Sequence, residues 1–311
     1  MGADVAQVRS LVFGSGGLLG KSVNEALKVT AVRGPIIRPS ISWYHSAQAS
    51  EQIEASVEEF LAVGDPSEHK EIYWCAGVAT QRTVGDETDQ ERRYIGNILA
   101  AIRSNRPPTN LRLFFASTAG GVYGDTGTQI ASETSASNPR DAYGHTKLEL
   151  EAELRRFAQS TSSGLVIGRL SSLYGSQQNM QKRQGLLSHL ALAIARSHPL
   201  EIFTSLSSTR NYLDSRTAAK IAVHHMRSIG LSEVRMRNIC APYNVSVAEL
   251  LSLAKHLAGR SLRTIHTGSS RPDNSRIATM FPGEVTSLTR TTMAEGLASL
   301  VQAARHDTLR M

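Results

Sequence analysis

The stretch LVFGSGGLLGKS, Leu11 to Ser22, decides how this chain folds. The apolar residues at its start predict a short strand, and the residues after its glycines have the spacing of a helix. Gly14, Gly17 and Gly20 lie three residues apart, and a glycine turn between a strand and a helix directs backbone N–H groups and the helix N-terminus toward a ligand above it. The stretch therefore predicts an anion-binding turn; the alternative is a plain strand-to-helix turn.

The three glycines have separate expected tasks. Gly14 allows the tight turn, Gly17 lets a phosphate approach the backbone, and Gly20 lets the helix pack close to the strand. The spacing is G-x-x-G-x-x-G, because the commoner G-x-G-x-x-G pattern needs glycine where Leu19 stands. A P-loop needs four residues between its outer glycines, and five separate Gly14 from Gly20. The spacing thus favours a dinucleotide over a P-loop ligand.

The composition is that of an ordinary globular protein. The chain has 311 residues, 41% of them apolar and 20% charged, which is enough for one large or two modest domains. Its longest apolar run, residues 186–195, is interrupted by Ser188 and His189 and is too short to span a membrane. The N-terminus has no pattern of an export signal. We expect a cytoplasmic protein with no membrane partner.

Charge and reactive side chains exclude several classes of function. The net charge is +7, but the basic residues lie in scattered pairs and only 5% of residues are aromatic, so we expect no nucleic-acid partner. Cys75 and Cys240 lie in apolar runs and are expected to be two buried thiols. His224 and His225 point about 100° apart on a helix and have no third ligand at zinc spacing, so no metal site is expected. No G-x-S-x-G elbow of a serine hydrolase occurs.

Strand and helix patterns alternate along the first half of the chain. Strands are predicted at 28–32, 41–44, 71–76 and 111–116, after the first one, and helices at 18–27, 49–62, 89–103 and 143–158. A further amphipathic helix is predicted at 293–305. Alternation of this kind, with right-handed crossovers, predicts an α/β fold with a doubly wound parallel sheet.

The region after the second predicted strand bears on which dinucleotide binds. An acidic residue there holds the ribose 2′-OH of NAD, whereas arginine accommodates the 2′-phosphate of NADP. No Asp or Glu occurs between Lys28 and Ser50, and Arg33 and Arg38 lie in this region. The two arginines either bind NADP or are solvated loop residues, and the pattern favours NADP slightly over NAD.

Hydroxyl groups follow the predicted strand at 111–116. The segment STAGGVYG begins at Ser117, and Tyr143 and Lys147 come after a polar loop. Because they are four residues apart at the start of a helix, both side chains project from one face. An ammonium beside a phenol lowers the phenol's pKa toward neutral pH, and such a tyrosine can transfer protons. The alternative is a surface Tyr–Lys pair without chemistry.

Taken together, these motifs resemble the extended short-chain dehydrogenase/reductase family of NAD(P)-dependent nucleotide-sugar epimerases, dehydratases and reductases. Later segments are similar to that family's motifs in the same order, from about residue 8 to 275. They are GRLSSLYG at 168–175, RNYLD at 210–214, NIC at 238–240 with VSVAEL at 245–250, and RPD at 271–273. The resemblance implies a doubly wound Rossmann domain over residues 1–172. Residues 173–311 would form mainly a smaller C-terminal substrate-binding lobe, with segments near 205–240 returning to the sheet.

The resemblance also implies roles for individual residues. Tyr143 would be the acid/base, Lys147 would hold the nicotinamide ribose and tune Tyr143, and Thr118 would bind the reacting oxygen, with Ser117 as the second choice. The implied cofactor-binding residues are Gly14, Ser15, Gly16, Gly17, Leu18, Leu19, Gly20, Arg33, Arg38, Ala76, Gly77, Asn97, Tyr143 and Lys147. The implied substrate-binding residues are Ser172, Arg210, Arg271 and Asp273. A homodimer through the helices at 89–103 and 143–158 is implied as well.

The resemblance leaves the reaction open. The expected substrate is a nucleotide-linked sugar, and the reaction is either epimerisation with a retained cofactor or reduction of a keto sugar by NAD(P)H. In this loop the 4,6-dehydratases of the family carry the sequence Thr-Asp-Glu, whereas this chain has Gly120 and Gly121. The resemblance therefore does not imply dehydration of that type. Ser172 and Asn211 replace the usual Asn and Asp of the family. The alternative function is a non-catalytic dinucleotide-binding regulator of the same fold.

Overall fold

The computed structural model describes residues 7–30, 34–65, 67–77, 86–182, 185–267, 272–288 and 291–308. Its strands are β1 Val8–Phe13, β2 Ile36–Ile37, β3 His69–Trp74, β4 Leu111–Thr118, β5 Gly164–Leu170, β6 Ser172–Tyr174, β7 Leu200–Ile202, β8 Thr209–Arg210, β9 Tyr212–Asp214, β10 Val234–Ile239, β11 Val245–Ser246 and β12 Thr264–His266. Its helices are α1 Leu18–Lys28, α2 Ser46–Ala62, α3 Asp86–Ser104, α4 Ala119–Tyr123, α5 Ala142–Thr161, α6 Leu186–Arg196, α7 Ser215–Ser228, α8 Val247–Ala258, α9 Pro282–Leu288 and α10 Met293–Thr308.

Six of the described strands form one parallel sheet in the order β10-β5-β4-β3-β1-β2. β1 lies second from one edge of this sheet, with β2 on one side of it and β3, β4, β5 and β10 on the other. The order therefore reverses beside β1, and in open α/β sheets ligands bind at the carboxyl ends of the strands at such a point. The predicted doubly wound parallel sheet is confirmed.

Apolar side chains pack on both faces of the sheet. On one face, α2, α3 and α5 cover a core that includes Phe115 and Phe157. On the other face, α1 and α7 pack on each other and on a core that includes Val12 and Phe114. Phe114 and Phe115 are neighbours in β4 and lie in opposite cores because side chains alternate along a strand. This two-sided burial explains why consecutive apolar residues occur at 72–74 in β3 and at 113–116 in β4.

Polar side chains determine where several helices begin. Asp141 caps α5 by accepting a hydrogen bond from the backbone N–H of Gly144 at 2.7 Å. Asp214 caps α7 in the same manner. Ser246 and Glu249 form a reciprocal capping box at the start of α8. Such caps satisfy N–H groups that have no partner within the helix.

A second, smaller lobe has its own apolar core, built from α6, β7, α8 and α10 and including Leu190, Ile202 and Leu297. Its described strands form three two-stranded pairs: β11 with β8, β12 with β7, and β6 with β9. Between these lobe elements, α7 packs on α1 and β10 pairs with β5, so the chain returns to the main sheet. The smaller lobe expected from the resemblance is present.

Two predicted strands are wrong. Residues 41–44 form loop and turn, and Ile41 and Trp43 pack against the core instead of pairing with a strand. Of the predicted strand at 28–32, Lys28 ends α1 and residues 29 and 30 turn, while residues 31 and 32 lie outside the described residues. The second strand is instead the two-residue β2. The strand at 111–118 is consequently the fourth and not the fifth.

Both cysteines are free thiols, and Cys240 is buried, whereas Cys75 is half-buried. None of the described helices is long and apolar enough to cross a membrane. The part of the chain that the structure describes contains no group of three His, Cys, Asp or Glu side chains placed to hold a metal ion.

Candidate active site

The glycine turn after β1 is held against the end of β3. Gly14 has a φ of +74°, which favours glycine, and a Cβ there would lie 2.5 Å from the backbone nitrogen of Ala76. A Cβ on Gly20 would lie 2.1 Å from the carbonyl oxygen of Gly14. Both positions therefore require glycine for purely steric reasons: the turn is tight, and α1 starts directly on it.

The same turn fits a dinucleotide diphosphate. The N-terminus of α1 has no side-chain cap and no acidic residue in its first turn. Gly16 and Gly77 are exposed, and a Cβ on either would meet no atom within 4 Å. A helix N-terminus left uncapped beside open glycines offers free N–H groups and room for a phosphate. NAD or NADP bound here would supply or accept a hydride.

The remaining residues expected to bind the cofactor differ in exposure and in their position relative to the turn. Ser15 and Leu18 are half-buried in the turn, whereas Leu19 packs into the core. Arg38 is exposed and directly follows β2, the strand beside β1. Arg33 lies outside the described residues. Asn97 is on α3, six residues after Glu91 and thus about 120° around the helix from it, so the two do not share a face.

Tyr143 and Thr118 meet at the carboxyl end of β4. Thr118 is half-buried, and its hydroxyl oxygen accepts a hydrogen bond from the backbone N–H of Gly121 at 3.2 Å. A Cβ on Gly121 would lie 2.6 Å from Cγ2 of Thr118 and 3.2 Å from Cδ1 of Tyr143. The absence of a side chain at Gly121 therefore leaves room for Thr118 and the Tyr143 ring to pack beside each other. Thr118 is the hydroxyl that the structure brings to Tyr143.

Ser117, the alternative to Thr118, is placed elsewhere. It is 2% exposed, and its hydroxyl donates to Oε1 of Glu151 at 2.6 Å. Arg169 donates to the same carboxylate from Nε at 3.0 Å and from Nη2 at 2.7 Å. Ser117 and Thr118 are adjacent in a strand, so their side chains leave it on opposite sides. Ser117 is a buried structural residue, and its expected place at the reacting oxygen is wrong.

Lys147 is held by a carboxylate that the sequence analysis did not single out. Its Nζ donates to Oε1 of Glu91 at 2.7 Å and to the carbonyl oxygen of Ala116 at 3.0 Å. Both side chains of this ion pair are at most 3% exposed. The indole N–H of Trp74 donates to the same Oε1 at 2.9 Å. Lys147 also lies 5.7 Å from the centre of the Tyr143 ring.

Glu91 changes the electrostatics expected at Tyr143. Burial raises the pKa of the phenol; the charge of Lys147 and a hydrogen bond with Thr118 lower it, and the charge of Glu91 raises it again. The net pKa of Tyr143 is raised, which corrects the expected lowering. Burial also lowers the pKa of Lys147, but the carboxylate of Glu91 outweighs burial, and the net pKa of the ammonium is raised. Lys147 is charged at neutral pH, and Tyr143 is protonated.

A signal for Glu91 does exist in the sequence. It occupies the first position of the apolar stripe of α3 that continues through Ile95, Ile98 and Ile102, all of them buried. The spacing of four, three and four residues is that of one helix face. A carboxylate at the head of such a stripe faces the core, where a charge needs a partner.

The expected substrate side of the site lies in the second lobe. Arg210 contacts Asp273 through Nη2 and donates to its backbone carbonyl oxygen from Nη1 at 2.9 Å. Ser172 is exposed at the start of β6. Arg271, the second arginine expected at the diphosphate, lies outside the described residues. Arg210 is half-exposed, and its guanidinium is held in place by its contacts with Asp273.

Asn211, which replaces the family's usual Asp, is a buried residue whose side chain is hydrogen-bonded to the backbone of a neighbouring loop. Its side-chain amide donates to the carbonyl oxygens of Ala241 at 3.0 Å and Tyr243 at 3.1 Å, and its oxygen accepts from the backbone N–H of Ala241 at 2.8 Å. An ionised Asp has no donors and cannot make the first two bonds. Asn at this position ties the segment before β9 to the loop after β10.

A comparison with known families matches residues 10–240 to the model of the NAD dependent epimerase/dehydratase family. The chain belongs to this family. The matched region runs from β1 to the end of β10 and contains the glycine turn, Thr118, Tyr143 and Lys147. The resemblance drawn from the motifs is therefore confirmed at the level of the family.

Solved structures of UDP-glucose 4-epimerases match the fold over nearly the whole chain. UDP-glucose 4-epimerase from Thermus thermophilus, in complex with NAD, has a TM-score of 0.79 and 19% identity, covering 96% of this chain and 99% of that one. UDP-glucose 4-epimerase from Thermotoga maritima, with UDP-glucose, has a TM-score of 0.80 and 18% identity, covering 97% and 100%. At these identities the likeness shows the fold alone.

One curated relative matches in sequence over a shorter region. It is dTDP-4-dehydro-6-deoxyglucose reductase of Escherichia coli, 32% identical over 102 residues. The match covers 33% of this chain and 32% of the reductase, so the chain spans about a third of that relative's length.

Proposed function

We propose that this protein is an NAD(P)-dependent reductase of a keto sugar carried by a nucleoside diphosphate. The observation that carries the proposal is the meeting of Tyr143, Thr118 and Lys147 at the carboxyl end of β4, on the edge of the sheet where β1 runs into the glycine turn. The reduced nicotinamide supplies the hydride when bound. The chain's own residues supply the proton and hold the oxygen.

The proton moves from Tyr143 to the carbonyl oxygen of the sugar. Thr118 donates a hydrogen bond to the same oxygen and so stabilises the negative charge that develops there. The carbon gains the hydride, the C=O bond becomes CH–OH, and Tyr143 is left as a phenolate that regains its proton from water. Lys147 stabilises that phenolate with its ammonium, 5.7 Å from the centre of the ring.

Reduction is favoured over epimerisation by two observations. The curated relative is a reductase of a nucleotide-linked keto sugar. The raised pKa of Tyr143 keeps the phenol protonated, and a protonated phenol suits the donation of a proton to a carbonyl. Epimerisation is the second candidate, supported by the description of the family; it begins with a tyrosine that removes a proton from an alcohol.

We also propose that NADPH is preferred to NADH. Arg38 is exposed at the end of β2, beside the strand that leads into the glycine turn, which is where an arginine meets the 2′-phosphate of NADP. Arg38→Ala should weaken the binding of NADPH and leave the binding of NADH unchanged. Equal affinities of the wild-type protein for the two cofactors would contradict the preference.

Turnover of dTDP-4-dehydro-6-deoxyglucose with NADPH, followed by the loss of nicotinamide absorbance, tests the reaction. Tyr143→Phe should lower kcat by roughly 10² to 10⁴-fold, the usual contribution of a general acid. Tyr44→Phe, at a tyrosine that is 94% exposed, is the matched control and should retain wild-type kcat. Interconversion of a nucleotide sugar without net loss of NADPH would identify an epimerase. Cofactor binding without any turnover would favour the regulator.

The nucleotide-sugar substrate is expected to bind through Arg210, since a guanidinium suits bidentate contact with a diphosphate. Arg210→Ala should raise KM more than it lowers kcat.

We further propose a homodimer through α3 and α5, which lie side by side and are joined on their exposed side by an ion pair between Arg92 and Glu149 at 2.6 Å. Light scattering that gives the mass of one chain would contradict the dimer.

A further inference from the structure

The ion pair of Lys147 and Glu91 is built from four elements. Lys147 comes from α5, Glu91 from α3, Trp74 from the end of β3, and Ala116 supplies a carbonyl oxygen from β4. Glu91 Oε1 accepts from the ammonium and from the indole N–H at the same time, at 2.7 and 2.9 Å. A buried carboxylate held by two donors has a fixed position.

The pair retains unused hydrogen-bonding capacity. An ammonium has three donors, and Lys147 uses two of them on Glu91 and Ala116. Glu91 Oε2 is buried and has no hydrogen-bond partner among the described residues. One donor of Lys147 and one acceptor of Glu91 are therefore left without a partner among the described residues.

Within the described ranges, no other charged group near Tyr143 makes up for the part of the Lys147 charge that Glu91 offsets. Asp141 lies at the N-cap of α5 and accepts from the N–H of Gly144. Glu151, one turn beyond Lys147, is already engaged by Arg169 and Ser117. The ammonium of Lys147 acts on the phenol as half of an ion pair rather than as an isolated charge, and a pair of opposite charges attracts a phenolate less than one cation does.

We propose that Glu91 is a positioning residue of this site: its carboxylate fixes the Lys147 ammonium and offsets part of its charge, so that the buried Tyr143 enters the reaction as a protonated phenol and acts as a proton donor. The inference rests on the proposed reduction for its catalytic consequence, but its physical content concerns residues of this chain alone. Burial and the charge of Glu91 both raise the pKa of Tyr143, as the geometry requires.

Alkaline titration of tyrosinate absorbance in the cofactor-free protein tests the inference. The difference between the wild-type protein and Tyr143→Phe isolates the signal of Tyr143, which should not ionise below about pH 10. Glu91→Gln preserves the shape of the side chain and an acceptor for Lys147 and Trp74 but removes the charge. It should lower the pH at which the Tyr143 signal appears by about one to two units, the usual effect of an unpaired neighbouring cation.

Two control variants separate charge from packing. Glu91→Asp keeps the carboxylate and should return the titration toward that of the wild type. Trp74→Phe removes the indole donor and retains Glu91, so the titration of Tyr143 should stay with the wild type. A shift with Trp74→Phe equal to that of Glu91→Gln would show that packing is responsible and would overturn the inference.

The inference also fails if Tyr143 of the wild-type protein ionises near about pH 8 or lower. This measurement can be made even if the Glu91 variants do not fold. It fails equally if folded Glu91→Gln titrates with the wild type. None of these measurements uses substrate or cofactor. A protein that lacks reductase activity but shows the expected titrations would contradict the proposed function alone, and the reverse result would contradict the role of Glu91 alone.

Discussion

Gly121→Ala is the substitution that best tests how the reacting groups are held. The new Cβ would lie 2.6 Å from Cγ2 of Thr118 and 3.2 Å from the ring of Tyr143. Carbon atoms prefer a separation of about 3.5 to 4.0 Å, so Thr118 must move by about 1 Å. Rotation of Thr118 does not relieve the contact freely, because its Oγ1 accepts from the N–H of Gly121.

The expected loss is in rate more than in stability. A displacement of about 1 Å in a catalytic group costs roughly 10²-fold in rate, and overpacking costs about 1 to 3 kcal/mol of the free energy of unfolding. Steady-state kinetics should therefore show a fall in kcat of that order. The affinity for NADPH should be unchanged, because the glycine turn at 14–20 is not touched.

Gly96→Ala is the matched control. Gly96 is also helical, in α3, but a Cβ there meets nothing within 4 Å. It should retain wild-type kcat and gain about 0.5 to 1 kcal/mol of stability from the helix preference of Ala over Gly. If Gly121→Ala keeps kcat within about twofold of the wild type at an unchanged melting temperature, the argument for a sterically fixed Thr118–Tyr143 contact is refuted.

Three further outcomes are expected. Gly16→Ala should keep the wild-type melting temperature, because its Cβ meets no atom within 4 Å, and should weaken NADPH binding measured by calorimetry, because the Cβ occupies the space for the diphosphate. His225 is buried, and burial lowers its pKa from 6.5 to about 3. As the pH falls, the unfolded chain therefore binds a proton at this histidine before the folded chain does, and stability that is present above pH 6.5 is lost toward pH 3. The expected loss in the free energy of unfolding between pH 7.5 and 5.0 is about 2 kcal/mol, at about 1.4 kcal/mol per pH unit. Urea unfolding should show this loss in the wild type and in the control His224→Gln but not in His225→Asn. Arg169→Met should cost about 3 to 5 kcal/mol in the same assay because it leaves the buried carboxylate of Glu151 unpaired, and Glu151→Gln in the same chain should restore part of it.

The local features of the fold were readable because they depend on neighbours in sequence. The glycine turn follows from the positive φ of Gly14 and from the contact of Gly20 with Gly14, both within seven residues, and the Tyr143–Lys147 pair follows from the repeat of one helix. The parallel sheet follows from the alternation of apolar strands and helices. The strand predicted at 41–44 is wrong because Ile41 and Trp43 are apolar for packing on α2 and α3, a reason that local pattern does not distinguish from pairing in a sheet.

The electrostatics of the site depend on residues far apart in sequence. Burial of the phenol reverses the expected shift in the pKa of Tyr143, and Glu91, which Lys147 meets 56 residues earlier in the chain, adds to that rise. The choice between Ser117 and Thr118 depends on which side of β4 faces Glu151. The sequence by itself therefore determined the family and the parallel architecture, and it proposed Tyr143 and Lys147 as a functional pair, because motifs and spacing along the chain carry this information. Only the tertiary structure decided the charge around that pair, because charges act through space and their partners come from different elements.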